Sequence, residues 1–362
     1  MHKFAFMIHP LDIEDVSRKF PLIGKLPAGF LNHLLTLAPP VKASQITGIK
    51  SSFGETEGWF VACTLTGKQM LTLPTDFVLK KIIQAGRYAE KLGARMLGLG
   101  AMTSVVGDAG ITVANNLDIP VTTGNSYTVY TALEGTKKAA ELMGIELDRA
   151  EVVIVGATGS IGAVCARMMA RECRYLTLVA RNKEKLDSLA QRIMFETGLV
   201  ARVTSDARKA LRQADLIITV TSSAETVIEP DDLKPGAVVC DVARPRDVSR
   251  RVAQMRDDVL VIEGGLVEVP GEVDFHFNFG YPPGLALACM AETIMLALEG
   301  NLTDYTLGRD LTLEQVEETG RLAKKHGFRL AGFRSFERPV PEEKILAIKK
   351  RAEEIQRRAL DA

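Results

Sequence analysis

One stretch near the middle of the chain constrains the fold more than any other. It reads EVVIVGATGSIGAVCARMMARECRYLTLVAR from Glu151 to Arg181, which is an apolar strand, a glycine turn that opens a helix, and a second apolar strand. This order of elements is the βαβ unit with which Rossmann folds hold a dinucleotide. The stretch therefore predicts an α/β fold with a nucleotide-binding domain.

Three glycines give the turn its predicted role. Gly156 makes the sharp turn out of the strand, Gly159 lets backbone approach a pyrophosphate, and Gly162 lets the helix pack closely on the sheet. Their spacing is GxxGxxG, where the commonest fingerprint is GxGxxG. Free N–H groups at the start of the helix face the phosphates in such a turn. The predicted cofactor contacts here are Gly156, Thr158, Gly159, Ser160, Ile161 and Gly162.

The end of the second strand predicts which dinucleotide is bound. NAD-dependent enzymes place an acidic residue there for the ribose 2′-hydroxyl, whereas this chain has Arg181, Asn182 and Lys183. Because a guanidinium suits a 2′-phosphate, we predict NADPH, with contacts from Arg181 and Asn182. The alternative is a flavodoxin-like strand and helix with an incidental surface arginine.

Length and composition favour a globular protein of more than one domain. The chain has 362 residues, 46% of them hydrophobic, and its 45 basic residues balance 45 acidic ones, so nothing points to nucleic acid. The five scattered cysteines suggest neither a disulfide framework nor a metal site, and no metal is predicted. Without a run of membrane-spanning length or a signal peptide, we expect a cytoplasmic protein with no membrane span.

The alternation of strand and helix patterns predicts three parts. Residues 1–148 are expected to form an N-terminal α/β substrate domain, and residues 149–280 a Rossmann domain with a doubly wound parallel sheet of six strands. Residues 281–362 are expected to be C-terminal helices that carry a candidate nucleophile and pack back on the first domain. The predicted helices of this last part are Gly284–Glu299, Leu313–Lys325 and Pro341–Leu360.

Loops at the carboxyl ends of the strands are the expected ligand contacts of an open α/β sheet. Two such loops, after the fourth and fifth predicted strands of the Rossmann domain, are predicted to edge the nicotinamide half of the cofactor, and a third, after the last strand, has paired glycines that suit close backbone approach. Their candidate residues are Thr221, Ser222, Val242, Gly264 and Gly265. An equally open interpretation is that Gly264 and Gly265 are needed only for the geometry of the turn.

The first domain holds candidate groups for the substrate. Thr122, Asn125 and Ser126 lie where a predicted strand gives way to a helix, which is a usual place for groups that hold a substrate or an oxyanion. Helix capping by Asn125 or Ser126 is the alternative.

Cys289 lies in the helix predicted from Gly284, after Pro282 and Pro283. Taken alone, a cysteine among Ala and Leu is a small core residue. On the predicted helix bounds it lies more than one turn from the N-terminus, where the influence of the helix dipole has mostly decayed. Composition therefore gives no reason to expect a reactive thiol.

A series of short motifs occurs in one order along the chain. They are Leu99-Gly100 through Val106, Thr122-Thr123-Gly124-Asn125 with Thr128 and Tyr130, Gly156-Ala157-Thr158-Gly159 with Ile161-Gly162, Ala180-Arg181-Asn182, Gly264-Gly265 with Val267-Glu268, Ala288-Cys289 with Ala291-Glu292, Glu299-Gly300, Gly308-Arg309, and Lys325-His326-Gly327-Phe328. Together they resemble the cyanobacterial-type long-chain acyl-(acyl-carrier-protein) reductases, which make fatty aldehydes with NADPH. The likeness runs from about Phe4 to Phe328. The middle third also resembles shikimate dehydrogenase and glutamyl-tRNA reductase.

The resemblance implies an NADP-dependent oxidoreductase that reduces a fatty acyl thioester to the aldehyde. Acyl carrier protein or acyl-CoA would be the donor, and a homo-oligomer is compatible with this function. In that family the cysteine of the Ala-Cys-x-Ala-Glu helix carries the acyl group, and it corresponds to Cys289. We then expect Thr122, Asn125 and Ser126 to contact the oxyanion. Departures from the family pattern are Tyr127, where the family has His, and Leu287, where it has an aromatic residue.

Two alternatives keep the cofactor and change the function. One is a dehydrogenase of the shikimate or amino-acid type, which transfers a proton through a Lys/Asp pair and forms no covalent intermediate. The other is a non-catalytic NADPH-binding protein. For the basic last helix, solvation of its charged face is one interpretation, and docking of an acidic carrier protein or a phosphorylated cofactor tail is another.

Overall fold

The structure is a computed structural model that describes residues 1–10, 12, 27–221, 226–243 and 246–361. Its contacts divide the chain into two units. Unit 1 comprises Met1–Tyr127, Val267–Leu311 and Glu317–Arg329, and unit 2 comprises Thr128–Leu266, Thr312–Val316 and Leu330–Ala362. This division differs from the three predicted parts, because the C-terminal residues contribute to both units.

Among the described residues up to Met143, β-strands alternate with helices. The strands are β1 (Phe4–Ile8), β2 (Val41–Ser51), β3 (Gly54–Ala62), β4 (Leu97–Leu99) and β5 (Val121–Thr122). The helices are α1 (Ala28–Leu37), α2 (Gly67–Thr72), α3 (Thr75–Lys91), α4 (Ile111–Ala114) and α5 (Asn125–Met143), with a 3-10 turn at Ala101–Ser104.

The middle of the chain continues the alternation. Its strands are β6 (Glu151–Val155), β7 (Tyr175–Val179), β8 (Arg202–Thr204), β9 (Leu216–Thr219), β10 (Val238–Asp241) and β11 (Leu260–Glu263). Its helices are α6 (Ser160–Met169), α7 (Lys183–Thr197), α8 (Ala207–Leu211) and α9 (Arg250–Met255), with a 3-10 turn at Pro230–Asp232.

Short strands and three helices follow. The strands are β12 (Leu266–Glu268), β13 (Gly271–Asp274), β14 (Leu285–Leu287), β15 (Arg329–Leu330), β16 (Phe333–Ser335) and β17 (Arg338–Val340). The helices are α10 (Ala288–Glu299), α11 (Leu313–His326) and α12 (Glu342–Leu360).

Unit 2 contains the predicted Rossmann sheet. Its strand order is β11-β10-β9-β6-β7-β8, and all neighbours are parallel. Numbered within the unit, this is the order 6-5-4-1-2-3 of a doubly wound fold. The direction in which successive strands are added reverses between the first and fourth strands, which are neighbours in the sheet. Strands such as β6 read as continuous apolar runs because helices cover both faces of a parallel sheet. The predicted fold class is confirmed.

Unit 1 has a mixed sheet in the order β13-β2-β3-β1-β4-β5. Strands β3, β1, β4 and β5 are parallel, whereas β2 and β13 are antiparallel to their neighbours. Side chains of β1 alternate between the faces, so Ala5 and Met7 pack in one core with Val78 and Ile82 of α3. Phe6 lies on the other face, which α10 covers. The carboxyl ends of four parallel strands therefore meet at one edge.

The helix predicted from Gly284 begins four residues later, at Ala288, so this prediction is wrong at its N-terminus. Leu285–Leu287 form β14, which joins β12 and β15 in a small sheet, and this pairing replaces the first turn of the expected helix. Leu287 is the N-cap residue, with extended backbone at φ −70° and ψ 148°. The helix ends before Gly300, which takes the left-handed conformation at φ 72°.

The last residues belong to unit 2, which differs from the expectation that all C-terminal helices pack on the first domain. Helix α12 buries Ile345, Ile348 and Ala352, and its exposed face carries basic and acidic residues. Before it, β16 and β17 form a hairpin that was not predicted, because its turn residues Phe336 and Glu337 have positive φ angles without being glycine.

None of the helices within the described ranges has both the length and the apolar character that crossing a bilayer requires. The same residues hold no group of three or more His, Cys, Asp or Glu side chains placed to bind a metal ion.

Candidate active site

Cys289 is the second residue of α10, so it lies at the N-terminus of the helix and not a turn inside it. It is partly exposed, whereas the other four cysteines are buried. Burial raises the pKa of the Cys63 and Cys173 thiols to about 11 and raises that of Cys165 as well. The partial positive charge of a helix N-terminus stabilises an anion, so Cys289 has the setting that best suits a thiolate.

Two glycines allow the backbones of other segments to lie directly against α10. Gly124 follows β5 and has φ 75°, and a Cβ built on it would stand 2.2 Å from the Cα of Cys289. One turn further on, a Cβ on Gly98 of β4 would stand 2.0 Å from Oγ1 of Thr293. Only glycine fits at either place, and the close approach brings the Cys289 backbone to the carboxyl end of the parallel strands.

A buried carboxylate joins the segments around Cys289. Glu292 is 0% exposed, and its Oε1 accepts hydrogen bonds from Oγ1 of Thr122 at 2.5 Å and Oγ1 of Thr306 at 2.9 Å. Its Oε2 accepts from Oγ of Ser126 at 2.6 Å and from the backbone N of Tyr127 at 2.9 Å. Because Ser126 and Tyr127 begin α5, the carboxylate also caps that helix from outside.

The structure thus brings three of the predicted substrate residues close to the predicted nucleophile. The single hydroxyl hydrogens of Thr122 and Ser126 are directed at Glu292, while Asn125, next to Gly124, is partly exposed. Sequence reasoning missed Glu292 as a structural centre. The available signal was an acidic residue in the interior of a mostly apolar helix.

Thr306 is a second residue that sequence reasoning missed. It has φ 50°, a left-handed conformation that is strained for a β-branched residue. Its hydroxyl donates to Glu292, and its carbonyl accepts from Oγ1 of Thr123 at 2.6 Å. These bonds hold the unusual backbone in place.

In unit 2 the glycine turn has the predicted geometry. Gly156 has φ 82°, and a Cβ on it would stand 3.0 Å from the carbonyl of Val220, the residue after β9. A Cβ on Gly162 would stand 2.4 Å from the carbonyl oxygen of Gly156. Gly159 is the N-cap of α6, is exposed, and has no side chain that caps the helix. Its nearest neighbour would be 3.4 Å from an added Cβ, so this turn fits a pyrophosphate.

A cleft of about 390 Å³ adjoins the turn and reaches α7. It is lined by Thr158, Ala163, Glu184, Lys185, Ser188 and Leu189. Arg181, at the end of β7, is exposed, and the Asn182 side chain accepts a hydrogen bond from the backbone N of Lys185 at 2.9 Å. Asn182 therefore caps α7, and its predicted contact with the cofactor stays a prediction, as does that of Arg181.

Another buried carboxylate organises the loop after β9. Asp247 is 0% exposed, and it accepts from Oγ1 of Thr219 at 2.5 Å, from Oγ1 of Thr221 at 2.5 Å and from the backbone N of Thr221 at 2.9 Å. The hydroxyl of Thr221 is thus engaged within the protein. Ser222, the neighbouring candidate, lies outside the described residues.

The remaining cofactor candidates lie after β10 and β11. A Cβ on Gly264 would stand 2.9 Å from Cγ2 of Val242, so these two residues are in contact, and Gly265 has φ 89°. The glycine pair is therefore needed for chain geometry, and the cofactor contacts of Val242, Gly264 and Gly265 stay predictions.

Two features define the class of this protein: a Rossmann-type sheet with a glycine turn suited to a nucleotide, and a second unit with a partly exposed thiol at a helix N-terminus. The family of shikimate / quinate 5-dehydrogenases matches residues 137–263. The aminotransferase PigE of Serratia sp. is 31% identical over 360 residues, which is 96% of this chain, but the chain spans only 42% of that relative.

Two reductases are also similar. The long-chain acyl-[acyl-carrier-protein] reductase of Synechococcus elongatus is 29% identical over 343 residues, which cover 90% of this chain and 98% of that protein. The glutamyl-tRNA reductase of Roseiflexus sp. is 26% identical over 142 residues, or 37% of this chain and 32% of the relative. With the fold, these likenesses support an oxidoreductase of the NAD(P)-dependent class.

Proposed function

We propose that this chain is an NADPH-dependent reductase that converts a fatty acyl thioester to the aldehyde through an acyl group carried on Cys289. The observation that carries the proposal is the partly exposed thiol at the N-terminus of α10, in a chain whose other unit has a dinucleotide turn. Similarity to the Synechococcus elongatus reductase over most of both chains supports the same substrate class.

In the first step the Cys289 thiolate attacks the thioester carbonyl. A carbon–sulfur bond forms to the enzyme, the bond to the carrier sulfur breaks, and the carrier leaves as a thiol after taking a proton. The N-terminus of α10 stabilises the thiolate before attack, and its partial charge also favours the oxyanion. We assign the side-chain contact to the oxyanion to Asn125, since Thr122 and Ser126 already donate to Glu292.

The residues of unit 2 fit NADPH. The turn at Gly156, Gly159 and Gly162 would hold the pyrophosphate, and Arg181 would contact the 2′-phosphate from the end of β7. When bound, NADPH supplies the hydride that reduces the acyl carbon. The carbon–sulfur bond to Cys289 then breaks as the thiohemiacetal oxyanion collapses, which releases the aldehyde and restores the thiolate.

Purified protein with NADPH and a panel of long-chain acyl donors tests the proposal. Each donor is offered both on acyl carrier protein and on coenzyme A, and aldehyde and NADPH oxidation are measured together. We expect one aldehyde to form for each NADPH oxidised. Cys289→Ala should reduce the donors only at the background rate, whereas the matched variant Cys173→Ala should reduce them at the wild-type rate. Undiminished reduction by Cys289→Ala would contradict the proposal.

A dehydrogenase of the shikimate type is the second candidate, because the family match falls on residues 137–263. That match covers the nucleotide-binding part and none of the residues around Cys289. Oxidation of a hydroxy acid with NADP⁺, at the same rate in Cys289→Ala, would favour this candidate over the reductase.

A further inference from the structure

We infer that Glu292 is a positioning residue, whose buried carboxylate holds the loop at 122–126 against the backbone of Cys289 and so fixes where the thiol points. The inference rests on the proposed function only where it concerns catalysis, because the position of the thiol can be measured without substrate.

The bonds to Glu292 come from three separate segments. Thr122 ends β5, Ser126 and Tyr127 begin α5, and Thr306 lies in the stretch after α10. Both carboxylate oxygens accept two bonds each, so the side chain is fully engaged. A single side chain therefore fixes a strand end, a helix start and a connecting segment relative to α10.

Packing alone does not account for a carboxylate at this position. The residues of α10 around Glu292 are buried and mostly apolar, and a buried charge is costly unless hydrogen bonds compensate it. An apolar side chain would fill the space without that cost. Thr306 adds to the argument, since its strained backbone places a hydroxyl on the same carboxylate.

The fixed loop is the one that touches Cys289. Gly124 lies between Thr122 and Ser126, which are both bonded to Glu292, and its backbone N donates to Oγ1 of Thr122 at 3.3 Å. An added Cβ on Gly124 would overlap the Cys289 backbone, so the two segments are in direct contact. The hydrogen bonds of Thr122 and Ser126 to Glu292 anchor the loop in this position. Without these anchors, the Cys289 side chain could take other positions, and Asn125 would move as well.

Glu292→Gln tests the inference because it keeps the shape of the side chain and places an amide donor among hydrogen-bond donors. The first readout is the rate at which iodoacetamide alkylates Cys289, followed by intact mass without acyl donor or cofactor. We expect faster alkylation, since the loop would no longer hold Cys289 in one position at the start of α10. The matched control is Glu299→Gln on the same helix, which should alkylate at the wild-type rate.

The second readout is steady-state reduction of a long-chain acyl thioester. We expect kcat to fall by about 10- to 100-fold, the effect of misplacing a catalytic group by about 1 Å, with little change in KM. NADPH binding and the far-ultraviolet circular dichroism spectrum should both be unchanged, which shows that both units of the variant are folded. If Glu292→Gln does not fold, Ser126→Ala and Thr122→Val each remove one anchor and should give smaller changes in the same direction.

Alkylation that is unchanged or slower in all of these variants would overturn the inference. If the wild type reduces no acyl thioester but Glu292→Gln is alkylated faster, the proposed function fails and the positioning role stands. If Cys289 proves to be the nucleophile and Glu292→Gln behaves like Glu299→Gln in both readouts, only the positioning role fails.

Discussion

The nucleotide turn of unit 2 and the cysteine site of unit 1 both use glycine to bring backbones together, but they differ in how far apart the partners lie in the sequence. Gly162 packs on Gly156 within the same short turn. Gly124 packs on Cys289, and Thr122 bonds to Glu292 across 170 residues. The residues of the first site are close together in the sequence, whereas those of the second come together only through contacts between distant segments.

The two sites also treat helix N-termini differently. Helix α6 has Gly159 as its N-cap and no side chain that caps it, which leaves its N–H groups for a phosphate. Helix α5 is capped by the Glu292 carboxylate from another element. The open end suits a ligand, and the closed end makes a rigid support for the neighbouring thiol.

Replacement of Gly124, which lies directly against the Cys289 backbone, should have the largest effect. Gly124→Ala forces a side chain against the Cys289 backbone at a positive φ angle, so we expect a loss of about 2–4 kcal/mol in the free energy of unfolding. Gly159→Ala, at the exposed turn, should cost less than about 1 kcal/mol and weaken NADPH binding instead. Urea denaturation and NADPH titration of both variants measure this, and equal stability losses would contradict the contrast.

A change of charge at the end of β7 should have the next largest effect. Arg181→Asp removes a charge-assisted contact of about 2 kcal/mol, so NADPH should bind about 30-fold more weakly while NADH is little affected. Arg174→Asp makes the same change at an exposed residue immediately before β7 and serves as the control. Equal losses for NADPH and NADH in Arg181→Asp would contradict the 2′-phosphate contact.

The smallest effect concerns a surface carboxylate at the far end of α10. Hydrogen bonds from Lys325 lower the pKa of Glu299, and His326 contributes, although burial opposes them. A lowered pKa stabilises the fold above the unfolded value of about 4.3 and loses this effect as the pH falls through the folded pKa.

We therefore expect Glu299→Gln to lower the free energy of unfolding by about 1 kcal/mol at neutral pH. The difference from the wild type should close as the pH falls below about 4. Denaturation curves at several pH values measure the gap. A gap that stays constant into acid would show that the carboxylate charge is not its source.

The sequence predicted the parts of the molecule whose signals are local. The strands from β6 to β11, the glycine turn and the doubly wound class of the sheet follow from apolar runs and turn residues. The N-terminus of α10 was misplaced because Leu285–Leu287 pair as a strand with distant segments, which no local pattern reveals.

The candidate site was predicted in part for the same reason. Thr122, Ser126 and Cys289 were identified, but their connection through Glu292 and Thr306 depends on contacts between remote segments. Likewise, Asp247 holds Thr221 through a fold-dependent bond, so the role expected of Thr221 from its place after β9 could not include this partner.

The central claim is that Cys289 carries the acyl group, and intact-mass measurement after incubation with a long-chain acyl thioester tests it most directly. In the absence of NADPH, the wild type should gain the mass of one acyl group, located on Cys289 by peptide mapping and removed when NADPH is added. Cys289→Ser should gain no such thioester-linked group. An unmodified wild-type protein that still produces aldehyde with NADPH would contradict the account.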